Sequence, residues 1–249
     1  MSDLILDVAG LRKSFGGVHV TQDVTLSLKR GEQSAIIGPN GAGKSTFFNL
    51  LTGYHAPDAG KIAFDGADIT TWSAYRIVKA GMTRAFQVSN VFTKLSVWDN
   101  VRTSVHARMG NTLDLLRPAS SLGSDETAEV LRICGLLDKR ETEAGELSQG
   151  DKKKLELAIA VAGQPKLLLL DEPTAGMSVT ETLETMSLVD RLNQDLGISV
   201  LFTEHDMGVV FNHAERISLL HRGRFLVAGS PDEIRADETV RKVYLGEEV

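Results

Sequence analysis

A glycine-rich loop close to the N-terminus constrains the fold of this chain more than any other feature. It reads Gly38-Pro39-Asn40-Gly41-Ala42-Gly43-Lys44-Ser45-Thr46 and fits G-x-x-x-x-G-K-[ST], a pattern whose backbone N–H groups surround phosphates. A buried strand is predicted before it, from Gln33 to Ile37, and a helix after it, from Lys44 to Leu51. The positive end of that helix would face the phosphates. A glycine-rich turn that matched by chance would not need a strand and a helix in these places.

The residue types of the loop suit a nucleoside triphosphate with a magnesium ion. Lys44 is predicted to reach the β- and γ-phosphates, Ser45 to bind Mg²⁺, and Thr46 to add a phosphate contact. The other loop residues predicted to bind the nucleotide are Gly38, Asn40, Gly41, Ala42 and Gly43.

Composition limits the kind of protein that can carry this loop. The 249 residues are 42% apolar and 24% charged, as in a globular protein, and the net charge of −6 provides no basic surface for nucleic acid. The single cysteine, Cys134, excludes an internal disulfide and suits a reducing cytosol. We see no signal peptide and no apolar run near the ~20 residues of a membrane helix, so any membrane role is expected to depend on partners.

Hydrophobic patterning divides the chain into two predicted parts. Short strands separated by glycine turns are predicted over residues 4–8, 11–15 and 24–28. Strand-like runs stop near Val88 and return near Leu167, with helical patterns between them. We therefore expect an α/β core, residues 1–87 and 165–249, that includes an N-terminal antiparallel β-subdomain. A helical subdomain, residues 88–164, would be inserted into this core.

Two carboxylates follow a buried strand later in the chain. Four leucines, Leu167 to Leu170, lead directly into Asp171 and Glu172. Ligands bind at the carboxyl ends of strands in open α/β sheets. Asp171 is predicted to hold Mg²⁺ through a water, and Glu172 to take a proton from the water that attacks the γ-phosphate. A purely structural role conflicts with the cost of burying adjacent carboxylates without a cation.

Several other positions have two interpretations from the residues alone. Gln87, at the end of a predicted strand, could ligate Mg²⁺ through its amide oxygen or be a surface amide. His205, also at a strand end, could hydrogen-bond the γ-phosphate or be an ordinary satisfied histidine. Phe15, ahead of two glycines, could stack on an adenine or lie in the core. Ser148 and Gly150 could offer a hydroxyl and an N–H to an anion, or belong to an ordinary helix start.

Taken in order, these motifs resemble the ATP-binding subunit of an ABC transporter over essentially the whole chain. They are the phosphate loop, Gln87, Leu147-Ser148-Gln149-Gly150, the strand that ends at Glu172, and His205. The resemblance implies an ABC-type P-loop ATPase core that binds ATP and Mg²⁺ and hydrolyses ATP. It assigns catalysis to Glu172, His205, Gln87 and Lys44, and the metal to Ser45, Gln87 and Asp171.

The resemblance also implies a head-to-tail dimer with ATP between the subunits. Phe15 would stack on the adenine. Ser148 and Gly150 would bind the γ-phosphate that the opposite subunit holds. Gln87 would link the nucleotide to a membrane partner. The family's signature motif is usually Leu-Ser-Gly-Gly-Gln, and here it departs from that pattern at Gln149 and Asp151. The two contact residues, Ser148 and Gly150, are kept. Ser178 stands where the family commonly has Asp or Asn, a position to which the resemblance assigns communication between the two sites.

Four features that are less specific than the ATPase motifs resemble the ATPases of branched-chain (hydrophobic) amino acid uptake systems. They are Phe15-Gly16-Gly17, Thr83 to Gln87, the loop-rich stretch 110–124 and the ending Tyr244-Leu245-Gly246-Glu247. Related importers of urea, amides and aromatic acids share them, so these features do not identify the transported solute. The implied partners are transmembrane permeases, a second ATPase subunit of the same or another sequence and, indirectly, a periplasmic or extracellular solute-binding protein. The implied location is the cytoplasmic face of the inner membrane, as a peripheral subunit without nucleic-acid partners.

Two alternatives remain inside the ABC family. An export ATPase, for example of lipopolysaccharide type, would share every ATPase motif. A soluble ABC ATPase acting on nucleic acid or the ribosome would usually carry two cassettes, whereas this acidic chain carries one. A GTPase or kinase is disfavoured, because the sequence has no N-K-x-D guanine motif and no kinase catalytic loop.

Overall fold

Two β-sheets form the framework of the structure, a computed structural model that describes residues 3–85, 91–110 and 123–245. The strands are β1 (Leu4–Phe15), β2 (Val18–Lys29), β3 (Gln33–Ile37), β4 (Ala59–Phe64), β5 (Ala67–Asp68), β6 (Met82–Ala85), β7 (Leu167–Asp171), β8 (Ser199–Thr203), β9 (Arg216–His221) and β10 (Arg224–Gly229). The helices are α1 (Lys44–Leu51), α2 (Ala74–Ala80), α3 (Val97–Met109), α4 (Ser124–Ile133), α5 (Gln149–Ala162), α6 (Val179–Leu196), α7 (Met207–His213), α8 (Pro231–Ala236) and α9 (Glu238–Val240).

The larger sheet brings the predicted site residues to one edge. Its order is β10-β9-β3-β8-β7-β6, with β10 antiparallel to β9 and the other neighbours parallel. Every residue of β3, β7 and β8 is buried, which explains why these strands are continuous apolar runs. In the parallel register Asp171 lies beside Thr203, and Ala85 beside Leu170. The phosphate loop therefore starts at the same edge at which Asp171 and Glu172 emerge.

The smaller sheet is antiparallel, in the order β2-β1-β4-β5. The prediction of a turn at Gly10 was wrong, because β1 runs without a break from Leu4 to Phe15. Its pairing register with β2 shifts between Val8 and Leu11, so the chain passes Gly10 through a bulge. This sheet confirms the antiparallel strands expected at the N-terminus.

Helix α1 packs between the two sheets and carries much of one hydrophobic core. It buries Phe47, Phe48, Leu50 and Leu51 among side chains of β1, β2 and the larger sheet. At about 1.5–3 kcal/mol for each large side chain fully buried, these four contribute roughly 6–12 kcal/mol to the stability of the fold. The helix that begins on the phosphate loop is thus held firmly in position.

Helices α3, α4 and α5 cover the opposite face of the larger sheet. Their buried residues form one cluster with Leu168 and Leu170 of β7. Helix α5 begins at Gln149, because the Ser148 hydroxyl accepts a hydrogen bond from Asp151 N and caps the helix. The exact boundaries of the inserted subdomain, residues 88–164, stay a prediction. Within the described ranges, no helix has both the length and the apolar character needed to cross a bilayer.

Candidate active site

The phosphate loop lines a cavity of about 220 Å³ at the carboxyl edge of the larger sheet. The cavity is lined by Val20, Asn40, Gly41, Ala42, Gly43, Lys44, Ser45, Thr46 and Glu172. A larger cavity, about 430 Å³, lies at the other end of β3, where Lys29, Arg216 and Glu233 mix charges of both signs. We place the candidate site at the smaller cavity, because a glycine loop, a helix start and a strand-end carboxylate meet there.

Gly38 supports the loop from beneath without lining the cavity. Its φ is +156°, and a Cβ at this position would lie well inside 3.0 Å of the backbone oxygen of Leu220 in β9. Only glycine fits, since the crowding atom belongs to a strand of the sheet. The loop can therefore turn from β3 into the cavity at this point.

Lys44 is 7% exposed and folds back over the loop. Its ammonium donates to the carbonyl oxygens of Gly38 at 2.5 Å and Pro39 at 3.3 Å. Burial lowers the pKa of Lys44, while the negative charges of Glu172 and Asp171 act to raise it. The cation is thus positioned on the wall of the cavity, close to both carboxylates.

Asp171 already has a cation inside the protein. Arg84, at the end of β6, donates from Nη2 to Asp171 Oδ2 at 2.5 Å. The Thr203 hydroxyl donates to the other carboxylate oxygen at 2.7 Å. The side chains of Arg84 and Asp171 are 13% and 7% exposed. The cost of burying Asp171 without a cation, which argued against a purely structural role, is therefore offset inside the protein by Arg84.

Glu172 has a strained backbone conformation and lies at the same edge of the larger sheet, directly after β7. Its φ is +53°, and its N–H donates to the Thr203 carbonyl oxygen at 3.1 Å. Its carboxylate Oε1 lies 2.8 Å from His205 Nε2. Both side chains are about two-fifths exposed, at 41% and 42%. The structure thus joins the two strand-end residues Glu172 and His205, which the sequence suggested only separately.

Glu204 holds this arrangement together and was missed by the sequence analysis. It is 3% exposed, and its Oε1 accepts from the N–H of Thr174 at 2.8 Å and from the Thr174 hydroxyl at 2.6 Å. Its Oε2 accepts from His205 N at 3.1 Å. Glu204 therefore ties the turn after Glu172 to the segment that carries His205. Its place after a buried strand was the only available signal.

The donor set fits a magnesium ion that arrives with phosphate. Ser45 offers a hydroxyl and Asp171 a carboxylate, whereas the described part of the chain contains no cluster of three or more His, Cys, Asp or Glu that could hold a metal. Mg²⁺ commonly binds through one or two carboxylates together with substrate phosphates and waters. Gln87, the third predicted ligand, lies outside the described residues.

Phe15 is a surface residue at the end of β1, which excludes the core alternative. Its ring is 40% exposed and meets the ring of His55 edge-on, with centroids 5.1 Å apart. Lys13 Nζ lies 5.4 Å from the Phe15 ring centroid. Phe15 does not line the cavity of the phosphate loop, and its predicted stacking on adenine stays a prediction.

Ser148 and Gly150 lie away from that cavity, at the start of α5. The Gly150 N–H donates to the Glu181 carboxylate. Hydrogen bonds from Ser178, first its N–H and then its hydroxyl, lower the pKa of Glu181, and the Gly150 N–H adds to this effect. Lys154 also reaches Glu184 of α6 at 2.6 Å. The start of α5 is therefore tied to α6 within one chain.

Ser178 occupies a position with a clear local role. Its hydroxyl accepts a hydrogen bond from Glu181 N and caps α6, and the Glu181 carboxylate accepts one from Ser178 N in return. Asp, Asn and Ser are all favoured at the N-cap. The departure at Ser178 thus preserves the capping of α6.

Comparisons with known proteins identify the family. A family model described as ABC transporter matches residues 21–175, and one described as branched-chain amino acid ATP-binding cassette transporter matches residues 226–249. The high-affinity branched-chain amino acid transport ATP-binding protein LivG of Escherichia coli K12 is 35% identical over 99% of this chain and its own full length. BraF of Pseudomonas aeruginosa, a protein of the same description, is 33% identical over the same shares. The lipopolysaccharide export system ATP-binding protein LptB of E. coli K12 is 32% identical over 98% of both chains.

Solved structures give the same answer. A nucleotide-free ATP-binding cassette of an ABC transporter superposes with a TM-score of 0.86 at 26% identity, over 98% of this chain and 100% of that chain. An ATP-binding cassette in its ADP conformation superposes with a TM-score of 0.87 at 27% identity, over 99% and 100%. These matches confirm the α/β fold of the ABC ATPase type that the sequence predicted. The chain belongs to the ABC transporter family and is one of its ATP-binding, ATP-hydrolysing subunits.

Proposed function

We propose that this chain powers an importer of branched-chain amino acids, or of related small polar, amide or organic acid solutes. The observation that carries its enzymatic part is the position of Glu172, whose carboxylate lines the cavity of the phosphate loop and pairs with His205 at 2.8 Å. A base beside a phosphate-binding loop fits the attack of water on a triphosphate. The substrate is ATP.

The loop binds and orients the nucleotide. Backbone N–H groups of Gly41, Ala42 and Gly43 surround the phosphates, and the dipole of α1 favours their negative charge. Lys44 exchanges its carbonyl acceptors for β- and γ-phosphate oxygens. Asn40 and Thr46 add contacts, and Gly38 sets the path of the loop. Phe15 provides an exposed ring for the adenine.

A magnesium ion would be held by Ser45 and Asp171, with Gln87 as a further ligand. When bound, it would neutralise charge on the phosphate oxygens during transfer. The protein side of this task is to keep Asp171 fixed, which Thr203 and Arg84 do through the two carboxylate oxygens.

Glu172 takes the proton of the attacking water, and His205 orients it. The hydrogen bond from His205 fixes one carboxylate oxygen, so the other can face the water. General-base catalysis contributes typically ~10²–10⁴-fold. His205 would also hydrogen-bond the γ-phosphate and so respond to its presence. Gln87 would be the remaining residue of the site.

ATP would close a dimer in which each subunit completes the site of the other. Ser148 and Gly150 of each subunit would contact the nucleotide of its partner. In one chain the Gly150 N–H donates to Glu181, so closure requires that this N–H exchange a carboxylate for a phosphate. That exchange would connect the start of α5 to the capped end of α6.

Similarity to LivG and BraF over the full chain, together with the model matched at residues 226–249, supports the importer assignment. The partners would then be two permease subunits at the cytoplasmic face of the inner membrane, a second ATPase subunit, and a solute-binding protein that acts through the permeases. The 32% identity to LptB keeps an exporter as the second candidate.

Replacement of Glu172 by Gln tests the enzymatic proposal. We expect hydrolysis to fall by roughly 10²–10⁴-fold while ATP binding persists, because the base is lost and the phosphate loop is intact. Glu184→Gln, which changes an exposed carboxylate that contacts Lys154 at 2.6 Å, is the matched control. Normal hydrolysis by the Glu172 variant would show that another group is the base.

Purification of the tagged protein from gently solubilised native membranes tests the transport proposal. Two multi-spanning permeases, recovered with a second ATPase and encoded alongside a solute-binding protein, would support the importer. Permeases that act in lipopolysaccharide export would support the second candidate instead. Ribosomal or DNA-bound partners without a permease would contradict both.

A further inference from the structure

We propose that Arg84 is the permanent counter-cation of Asp171 and a positioning residue for the ATPase reaction. With this guanidinium in place, Asp171 helps to bind a divalent cation only when nucleotide phosphates supply the other ligands. The inference rests on the proposed role of Asp171 at the metal, and it concerns a residue that the predicted site did not include.

The pair is buried and directly bonded. Arg84 Nη2 lies 2.5 Å from Asp171 Oδ2, and the two side chains are 13% and 7% exposed. A hydrogen bond between ionised partners in such a place is strong and geometrically specific. Exposed ion pairs of the chain, such as Arg12 with Asp23 at 62% and 65% exposure, have no comparable constraint.

Arg84 is itself anchored by the helix that begins on the phosphate loop. Its Nη1 donates to Asn49 Oδ1 at 2.6 Å, and its guanidinium carbon lies 5.6 Å from the centroid of the Phe48 ring. Both residues belong to α1. Within the residues that the structure describes, Arg84 Nε is buried without a hydrogen-bond partner. The guanidinium therefore has one fixed orientation, between β7 and α1.

The charge balance around Asp171 follows from these contacts. Arg84 offsets the single negative charge of Asp171, and Lys44 is a second cation close enough to interact with it. A divalent ion placed against Asp171 alone would gain little attraction and would meet two positive side chains. A carboxylate has about four lone-pair positions, and Arg84 and Thr203 use one on each oxygen. Positions remain for a water of a metal ion whose charge is balanced by phosphates.

Metal binding without nucleotide separates this role from a structural one. Mn²⁺ serves as the probe, and free Mn²⁺ is measured by electron paramagnetic resonance. We expect Arg84→Gln to lower the Mn²⁺ dissociation constant of the nucleotide-free protein at least about tenfold, because the buried carboxylate is left uncompensated. Arg84→Lys, which keeps the charge, should stay within about threefold of the original protein. Arg30→Gln, which removes a cation that pairs with Asp65 at the far end of β3, is the matched control.

Two results would overturn the proposal. Equal Mn²⁺ affinities for Arg84→Gln and the original protein would show that Arg84 does not govern the charge of the site. An equal increase in Mn²⁺ affinity in Arg84→Lys and Arg84→Gln would show that the planar guanidinium group matters and its charge does not. If Arg84→Gln does not fold, as judged by circular dichroism, the unmodified protein still tests the inference. We would compare its Mn²⁺ affinity without nucleotide and with ADP. Equal affinities in the two conditions would contradict the inference.

The same measurements keep the two proposals apart. Metal binding is measured in the absence of nucleotide, so a negative result leaves the ATPase role of Glu172 untouched. An original protein that failed to bind ATP at all would contradict the proposed function, whatever the Mn²⁺ affinities were.

Discussion

Substitution of Gly38 by Ala should disrupt the phosphate loop although Gly38 does not line the cavity. The added Cβ would lie well inside 3.0 Å of the Leu220 oxygen and 3.1 Å from the Leu220 carbonyl carbon. Leu220 pairs with Phe225, and the neighbouring Leu219 pairs with Ile37, so this backbone is held by strands on both sides. The sheet resists movement, and the loop would have to shift instead.

The expected cost has two parts. Overpacking against fixed atoms costs typically about 1–3 kcal/mol. The φ of +156°, which side chains rarely adopt, adds roughly 1–2 kcal/mol. The free energy of unfolding should therefore fall by about 2–5 kcal/mol. If the loop relaxes by moving ~1 Å, part of the cost appears as weaker ATP binding, because a displacement of that size can cost ~10²-fold in function.

Gly41→Ala is the matched control in the same loop. Gly41 also has a positive φ, +77°, but nothing lies within 4 Å of an added Cβ. Only the backbone part of the cost applies, so the two variants should differ by about 1–3 kcal/mol. At roughly 2–4 °C per kcal/mol for a chain of this size, thermal unfolding followed by circular dichroism resolves that difference. Equal melting temperatures and equal ATP affinities for the two variants would refute the steric reasoning.

The remaining predictions concern two buried ionisable groups, Lys44 and Cys134. Lys44→Ala should weaken ATP binding at least tenfold, as measured by fluorescence titration. Thermal stability without nucleotide should stay nearly unchanged, because burial already disfavours the charged form of Lys44 and lowers its pKa. Unchanged ATP affinity would show that Lys44 does not belong to the site. Burial raises the pKa of the Cys134 thiol to about 12, so iodoacetamide at pH 8 should label it only after unfolding, and rapid labelling of the folded protein would contradict the structure. Because the folded state keeps this proton while the unfolded state releases it above about pH 9, the free energy of unfolding should also decrease as pH rises through that range.

Local motifs allowed much of this protein to be predicted. Helix α1 spans Lys44 to Leu51 as expected, and the four leucines form a buried strand. The family and the fold class are confirmed by the comparisons. These features could be predicted because a loop, a cap or a strand depends on residues within a few positions of each other.

Contacts between distant residues were decided by the tertiary structure alone. Arg84 and Asp171 are 87 positions apart, and they meet because β6 lies beside β7 in a register that no local pattern encodes. The same holds for Glu204 with Thr174, and for Glu181 with the Gly150 N–H. By itself, the sequence determined which residues stand at strand ends and at the phosphate loop. Strand order and register decided which of these groups face one another, and a buried charge such as that of Asp171 depends on the partner that packing supplies.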